Sequence, residues 1–188
     1  MHHMRKNFGI KTWFSPLPVL IVASYDKDGN PDAMNAAWGG VYDTDQVILC
    51  LDKSHKSTEN IKERKAFTIS FADRKNITAC DYVGIVSAND DKDKFRKSGF
   101  TAEKSAFVDA PLILELPLTL ECRVKEIIGE EHIVGEIVNI SADESILGSD
   151  GKPDMKLFDP VIFETIHAEY MSFGEVIAKA FSAGRELR

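Results

Sequence analysis

The clearest pattern in the sequence is a strict alternation of apolar and polar positions over residues 115–125. The apolar residues stand at every second position, and they are Leu116, Leu118, Leu120, Cys122 and Val124. Because successive side chains of a strand point to opposite faces, this period predicts one long, half-buried β-strand. Gly129-Glu130-Glu131 then turns the chain, and residues 132–140 are predicted to run back as its hairpin partner.

Other short apolar runs predict further strands. Residues 19–25 form a β-branched run that ends at Asp26-Lys27-Asp28-Gly29-Asn30, a composition typical of a hairpin turn. The returning strand is predicted at 33–40, where small residues and glycines indicate a close approach to the backbone. The remaining predicted strands are 46–51, 66–72, 161–166 and 168–173.

Four segments have a helical composition. Residues 56–65 are predicted to form a helix with Ser57 or Thr58 as its N-cap. Residues 77–86 follow, and the charged stretch 91–97 ends at Ser98-Gly99. Residues 175–183 are predicted as a terminal helix, with Gly184 just beyond its end.

Sequential hairpins favour antiparallel pairing, and the predicted strands outnumber the helices. No βαβ alternation is present, so the expected fold is mainly β, an antiparallel barrel, closed or nearly closed, with peripheral helices. With no internal repeat or linker, residues 1–188 are expected to form a single domain. Residues 1–7 are expected to be flexible, and His2 and His3, whether tag remnants or native, are given no function.

Composition narrows the function classes. The chain has 188 residues, 44% of them hydrophobic, and a net charge of −7, which argues against a nucleic-acid or anionic-membrane partner. No apolar stretch is long enough for a transmembrane helix, and the basic N-terminus is not followed by an apolar region and a small-residue cleavage site, so no secretion signal is expected. The three cysteines are far apart in the sequence, which predicts free thiols and a cytoplasmic protein.

Two segments are candidates for binding chemistry. In 34–40, small residues flank Asn35 and Trp38, so a flat ligand could lie there against exposed backbone. The alternative is a tight core strand with a buried tryptophan. In 54–60, hydroxyls and Lys56 at a helix start form a plausible phosphate cradle, and the alternative is an ordinary N-cap with solvated charges.

The remaining signals are weaker. The run 90–97 is typical of a solvated helix face, and a lone histidine such as His132 is more often structural than catalytic. The sequence contains no dinucleotide-binding glycine motif, P-loop, zinc-protease motif or nucleophile elbow. No catalytic residue of the protein's own and no metal site are therefore expected.

Taken together, the sequence resembles the flavin reductase-like, FMN-binding split-barrel family, and most closely its flavoredoxin branch. The resemblance runs from about Phe8 to Gly184 and depends on the order and spacing of several short pieces. These are Pro18-Val19-Leu20-Ile21-Val22, Asp28-Gly29 before Met34-Asn35-Ala36-Ala37-Trp38, Ser57-Thr58-x-Asn60-Ile61, Asp93-Lys94-Phe95 before Gly99, Leu120-Glu121-Cys122, and Phe173-Gly174-Glu175.

The resemblance implies an antiparallel split β-barrel that forms a homodimer, with one non-covalent FMN per subunit near the interface. By the resemblance, Asn35, Ala36, Ala37 and Trp38 line the isoalloxazine ring, Ser54, Lys56, Ser57 and Thr58 hold the phosphate and ribityl chain, and Lys94, His132 and Phe163 approach the flavin. Many relatives carry an arginine where this chain has Lys56, a point charge in place of a bidentate fork.

Three functions are compatible with these sequence features. The first is an FMN-dependent oxidoreductase that takes hydride from NADH or NADPH and reduces free flavin or another small-molecule acceptor. The second is a non-enzymatic FMN electron carrier that serves a protein partner. The third is a ligand-binding barrel without flavin. A flavin brings its own redox chemistry, so the first two need no catalytic triad or dyad.

Overall fold

The structure is a computed structural model that describes residues 4–187. Twelve strands lie within that range: β1 (Leu17–Pro18), β2 (Leu20–Tyr25), β3 (Pro31–Ala36), β4 (Gly39–Asp43), β5 (Gln46–Cys50), β6 (Ala66–Phe71), β7 (Ala102–Lys104), β8 (Pro111–Ile113), β9 (Leu118–Ile128), β10 (His132–Ala142), β11 (Val161–Glu164) and β12 (Glu169–Ser172). The α-helices are α1 (Lys56–Arg64), α2 (Ile77–Ile85), α3 (Lys94–Lys97) and α4 (Met155–Phe158), and 3₁₀ turns cover Glu144–Ile146 and Ala183–Leu187.

A curled seven-stranded antiparallel sheet organises these elements, in the order β3-β2-β6-β9-β10-β5-β4. The expected mainly β, antiparallel architecture is confirmed. The hairpin of β9 and β10 supplies two eleven-residue strands, and its register shifts after Val134 and again after Ile137. Such bulges bend a strand and increase its twist, which helps the sheet to curl. The three-stranded sheet β1-β11-β12 and the pair β7-β8 lie beside it.

Both faces of β2 are buried, which explains why its first four residues, Leu20 to Ala23, are all apolar. Val19, just before the strand, and Ile21 belong to one core cluster, whereas Leu20 and Val22 belong to another. A strand with one solvated face alternates in polarity, and a strand covered on both faces does not. The sheet therefore carries a core on each side of β2.

The link from β3 to β4 nearly closes the sheet. These two strands lie at opposite edges of the sheet, yet only Ala37 and Trp38 separate them. Three Cα–Cα steps from Ala36 to Gly39 span at most roughly 11 Å. A Cβ built on Gly39 would lie 2.8 Å from Leu49 Cδ2 and 2.9 Å from Leu20 Cδ1, so the two edges meet at this glycine.

This closure corrects the predicted strand 33–40, which is two strands with a bend at Ala37 and Trp38. The backbone leaves the β3 ladder because the Cys50 amide donates to the Trp38 carbonyl at 2.9 Å, which ties the chain to β5. The predicted helix 91–97 is also too long, since α3 begins only at Lys94.

The predicted N-cap of α1 is wrong as well. The cap is His55, in extended conformation and without a side-chain cap, and Ser57 and Thr58 lie inside the first turn. Their hydroxyls bond elsewhere: Ser57 Oγ donates to Asp32 Oδ2 at 2.6 Å, and Thr58 Oγ1 donates to the Asp52 carbonyl at 2.8 Å.

The predicted terminal helix 175–183 is absent from the described structure, where these residues form no α-helix. Val176, Ile177 and Phe181 are 90–100% exposed, so no apolar surface stabilises a helix there. Residues 4–7 are likewise exposed and irregular, whereas residues 1–3, also expected to be flexible, lie outside the described residues.

Two further expectations concern thiols and membranes. All three cysteines are free, as predicted; Cys80 and Cys122 are fully buried, whereas Cys50 is half-buried. Burial raises the pKa of Cys80 and of Cys122 to about 12. Among residues 4–187, no helix combines the length and apolarity that crossing a membrane requires.

Candidate functional site

Two adjoining cavities share Asn35, Gly84 and Ile85 as a common wall. The first, here the aromatic cavity, has a volume of about 190 Å³ and is also lined by Pro18, Ala36, Ala37, Asp81, Phe163 and Tyr170. The second, here the helix-start cavity, has a volume of about 180 Å³ and is also lined by His55, Lys56, Ser57, Val86 and Lys94. Asn35 therefore stands where an apolar cavity meets a charged one.

The aromatic cavity has a wall of two rings. β11 pairs with β12 so that Phe163 and Tyr170 are register partners, and their ring centroids lie 5.9 Å apart at an interplanar angle of 50°. Ala36 and Ala37 line the same space, and neither carries a bulky side chain. Small residues opposite aromatic ones suit a flat apolar ligand.

Asn35 contributes a hydrogen-bonded amide to the wall of this cavity. Its Nδ2 donates to the Tyr170 hydroxyl at 3.2 Å and to the Cys80 carbonyl at 3.4 Å. The Tyr170 hydroxyl in turn donates to Asp81 Oδ1 at 2.8 Å. Burial, reinforced by the Asp81 carboxylate, raises the pKa of Tyr170 to about 12, so this hydroxyl keeps its proton at neutral pH.

Helix α2 fixes Asn35 from the other side. A Cβ built on Gly84 would lie 2.8 Å from Asn35 Cβ, a distance that real side chains do not adopt. The helix backbone can therefore approach β3 only because position 84 is a glycine.

The helix-start cavity is suited to an anion. The backbone amides of Lys56 and Ser57 donate to no acceptor within residues 4–187. Free amides at a helix start, together with the helix dipole, attract negative charge. The Lys56 ammonium adds a cation, and its hydrogen bond to Glu59, at 2.7 Å, raises its pKa.

Lys94 reaches the same cavity but is already paired. Its Nζ lies 3.1 Å from Asp32 Oδ1, and the side chains of Lys94 and Asp32 are 3% and 6% exposed. The other carboxylate oxygen of Asp32 accepts a hydrogen bond from Ser57 Oγ. The charge of Lys94 is therefore compensated within the protein.

The structure separates the other predicted site residues from both cavities. Thr58 is fully buried and bonded to Asp52, and Ser54 is exposed and donates to Asp52 Oδ1 at 2.7 Å. Trp38 is 46% exposed and His132 is exposed at the start of β10. Trp38 and His132 both lie next to Cys50. His132 is the register partner of Cys50 in the sheet, and the Cys50 amide donates a hydrogen bond to the Trp38 carbonyl.

Sequence reasoning missed Asp81, Gly84 and Tyr170. Tyr170 lies 135 residues from Asn35 in the chain, and Asp81 sits in a helix without a clear amphipathic pattern. No local pattern marks such residues, because the fold alone brings β12 and α2 to β3. Gly84 is the exception, since a glycine inside a helical pattern can indicate a close approach.

Comparison with known proteins shows which solved structures and which family this chain resembles. Flavoredoxin from Desulfovibrio vulgaris (Miyazaki F) is similar at 39% identity, with 97% of this chain and 100% of that chain covered and a TM-score of 0.92. Flavoredoxin from Methanosarcina acetivorans is 26% identical over 100% of both chains, with a TM-score of 0.85. An FMN-binding domain of a flavin reductases-like enzyme from Shewanella baltica OS155 shares the fold, at 20% identity, a TM-score of 0.74, and coverage of 86% of this chain and 88% of that chain.

The family model described as "Flavin reductase like domain" matches residues 14–163. These residues include the curled sheet, the helix start of α1, Asn35, Gly84 and Phe163. The expected split-barrel fold is confirmed by the same structural neighbours. The chain therefore belongs to the flavin reductase-like domain family.

Proposed function

We propose that the protein is a flavoprotein that binds FMN non-covalently along the aromatic and helix-start cavities. The observation that supports this most directly is the adjacency of the two cavities, which share Asn35, Gly84 and Ile85 as a common wall. FMN combines a flat aromatic ring with a terminal phosphate, and the site offers an apolar slot at one end and an anion-binding helix start at the other.

The residues that line the two cavities fit this ligand, but the phosphate ligands differ from the sequence-based assignment. Ala36, Ala37 and Phe163 would hold the ring, and Lys56 would face the phosphate. The hydroxyls of Ser57 and Thr58 are engaged inside the protein, so the backbone amides at positions 56 and 57 are the better phosphate ligands. When bound, FMN supplies the redox chemistry, and the protein binds and orients it.

The proposal includes a homodimer in which the second copy completes the site. Trp38 and His132 remain assigned to the flavin by resemblance, yet both are exposed and lie outside the two cavities. The chain also exposes apolar terminal residues, among them Ile10, Val176, Ile177 and Phe181. Burying such side chains stabilises an interface by about 1.5–3 kcal/mol each. Light scattering tests the dimer, and a mass near 20.9 kDa with FMN bound would contradict it.

Two roles for the bound flavin are supported by different observations. Membership of the flavin reductase-like family supports an oxidoreductase that accepts hydride from NADH or NADPH and reduces a small-molecule acceptor. The similarity to flavoredoxin at 39% identity supports an electron carrier for a protein partner. The three free thiols support a reducing compartment, the cytoplasm, for either role.

FMN titration and anaerobic mixing with reduced nicotinamides test the proposal. We expect FMN fluorescence to be quenched on binding, and a colourless protein that leaves the fluorescence unchanged would exclude a flavoprotein. The FMN-loaded protein is then mixed with NADH or NADPH without oxygen. Bleaching of the flavin absorbance within a turnover time supports the oxidoreductase, whereas a flavin that stays oxidised supports the carrier.

A further inference from the structure

We infer that Asp81 and Tyr170 are positioning residues that hold the Asn35 amide with its carbonyl oxygen free for the ligand, so that the site selects a ring edge bearing an N–H. This inference rests on the proposed FMN site and specifies which edge of the ring the site recognises by a hydrogen bond. It concerns the hydrogen bonds Asn35 to Tyr170 and Tyr170 to Asp81, together with the contact of Gly84.

The direction of each hydrogen bond follows from the chemistry of its acceptor. A carboxylate oxygen can only accept a hydrogen bond. The Tyr170 hydroxyl therefore uses its single hydrogen to donate to Asp81 Oδ1, 2.8 Å away. The hydroxyl oxygen is then left as an acceptor toward Asn35, at 3.2 Å. The Cys80 carbonyl, 3.4 Å from the same Asn35 atom, is also only an acceptor.

These two acceptors assign the amide. The nitrogen and oxygen of an asparagine are told apart by their partners, and an atom between two acceptors must be the NH₂ group. With Nδ2 fixed, the planar amide places Oδ1 on the opposite side. Asn35 Oδ1 accepts no hydrogen bond from residues 4–187 and is not among their buried, unpaired polar atoms.

Gly84 limits the alternatives for the side chain. Its backbone lies so close that even a methyl group would be 2.8 Å from Asn35 Cβ. The Asn35 side chain is therefore confined between α2 on one side and Tyr170 of β12 on the other. The remaining freedom is a flip of the amide about its last bond, and the Tyr170–Asp81 pair opposes that flip.

The orientation has a consequence for ligand choice. A free carbonyl oxygen accepts from an N–H, and the pyrimidine edge of an isoalloxazine carries one N–H, at N3, between two carbonyl groups. A ligand with an alkyl group at that nitrogen cannot donate to Asn35 Oδ1, and the alkyl group clashes sterically with this oxygen. Sites that hydrogen-bond a ligand N–H reject analogues lacking it much more strongly than apolar pockets do.

Asp81 is needed to keep Tyr170 in its role. Without an acceptor at position 81, the Tyr170 hydroxyl is free to donate to Asn35, and that bond favours the flipped amide with Oδ1 toward Tyr170. Asp81→Asn still offers a carbonyl oxygen to the tyrosine and should preserve the orientation. Asp81→Ala offers none and should lose it.

The first test uses the full-length protein without flavin. The Asn35 side-chain NH₂ signals in ¹⁵N-labelled protein are assigned by their loss in Asn35→Asp. We expect Tyr170→Phe to speed their solvent exchange by about tenfold, the effect of removing one bond of about 1.4 kcal/mol. Asp81→Ala should do the same and Asp81→Asn should not. Tyr82→Phe is the control, because the half-buried Tyr82 hydroxyl on α2 makes no hydrogen bond within residues 4–187.

The second test compares FMN with N3-methyl-FMN by fluorescence quenching, with the melting temperature of each variant recorded. We expect the unmodified protein to prefer FMN by about tenfold or more and Tyr170→Phe to reduce the preference to about threefold or less. Equal binding of both flavins by the unmodified protein, or unchanged exchange in Tyr170→Phe, overturns the inference.

The failures of the two proposals are distinguishable. If neither flavin binds while the variants still change Asn35 exchange as expected, the FMN proposal fails and the positioning of the amide stands. If FMN binds but N3-methylation does not weaken binding, the FMN proposal stands and the selection of the N–H edge is wrong. Should Tyr170→Phe fail to fold, the pair Asp81→Ala and Asp81→Asn decides the question.

Discussion

Lys94 Nζ lies 3.1 Å from Asp32 Oδ1 with both side chains almost completely buried, so the interior beside the helix-start cavity contains a compensated ion pair. Asp32 belongs to β3, Lys94 begins α3, and Ser57 of α1 donates to the second carboxylate oxygen. One carboxylate thus connects three elements that border the proposed phosphate end of the site.

Lys94→Ala should therefore destabilise the protein as well as change the site. Removing one member of a buried pair leaves the other charge uncompensated, at a typical loss of about 3–5 kcal/mol in the free energy of unfolding. Urea denaturation measures the loss. Lys97→Ala is the matched control, since its pair with Asp91 is exposed and such pairs contribute about 0–1 kcal/mol.

The double variant Asp32→Asn, Lys94→Met separates charge from packing. With both charges removed, much of the lost stability should return. If the double variant is as unstable as Lys94→Ala, an uncompensated carboxylate is not the cause of the instability.

Gly84→Ala should weaken FMN binding without unfolding the protein. The added methyl group would lie 2.8 Å from Asn35 Cβ, so Asn35 must move away from its bonds to Tyr170 and Cys80. Alanine favours a helix interior by about 0.5–1 kcal/mol over glycine, which offsets part of the strain.

Fluorescence titration and thermal melting measure the two effects of Gly84→Ala separately. We expect an affinity loss of about tenfold or more, corresponding to about 1.4 kcal/mol. Gly174→Ala is the control, because a Cβ there would meet no atom within 4 Å. An unchanged affinity in Gly84→Ala would show that the position of Asn35 does not matter for the ring.

Lys56→Ala should distinguish FMN from riboflavin. If Lys56 faces the phosphate, its removal weakens FMN binding by about tenfold, as expected for a charge-assisted hydrogen bond. Riboflavin lacks the phosphate, so its affinity should not change. Lys53→Ala provides a control, since Lys53 pairs with Glu130 at 2.6 Å and lines neither cavity. Equal losses for both flavins would place Lys56 away from the phosphate.

Thiol labelling at pH 8 should modify Cys50 alone in the folded protein. Cys80 and Cys122 are fully buried, and burial raises the pKa of each thiol to about 12 from an ordinary value of 9.0. The reactive thiolate is thus disfavoured at both positions. Cys50→Ser should leave no rapidly labelled thiol, and labelling of two or three thiols before unfolding would contradict the packing around β9 and α2.

The same two thiols, Cys80 and Cys122, should lower the free energy of unfolding at alkaline pH. In the unfolded chain they ionise near 9.0, and in the folded protein near 12. The unfolded state therefore loses protons first, and the free energy of unfolding should fall as pH rises above 9. Denaturation midpoints of the protein and of Cys122→Ala, compared at pH 7 and pH 10, measure this contribution, and identical pH dependence would exclude it.

Much of the fold could be predicted because its strands leave local signals. The alternation at 115–125 predicted β9, which runs a little further, to Ile128, and the turn at Gly129 predicted its hairpin. The bend at Ala37 and Trp38 left no such signal. It depends on the pairing of β4 with β5 and on the space at Gly39, and both are set by residues distant in the sequence.

The candidate site, like the fold, could be predicted from the sequence only in part. Asn35 and Lys56 could be found because polar groups stood out in short segments with a recognisable composition. The hydroxyls of Ser57 and Thr58 attracted attention for the same reason, but their partners Asp32 and Asp52 turn them inward. Hydrogen-bond competition of this kind is a property of the folded chain and cannot be seen in its composition.

The two-residue link between β3 and β4 restricts how this protein can evolve by changes in length. Ala37 lines the aromatic cavity and also belongs to the connection across which the sheet edges meet. An inserted residue there would separate the edges and displace the cavity wall in a single event. Hairpin tips such as Asp26 to Asn30 tolerate added residues far more readily. New loops, and with them new partners, should therefore arise at the tips of the barrel, while the joint beside Asn35 keeps its length.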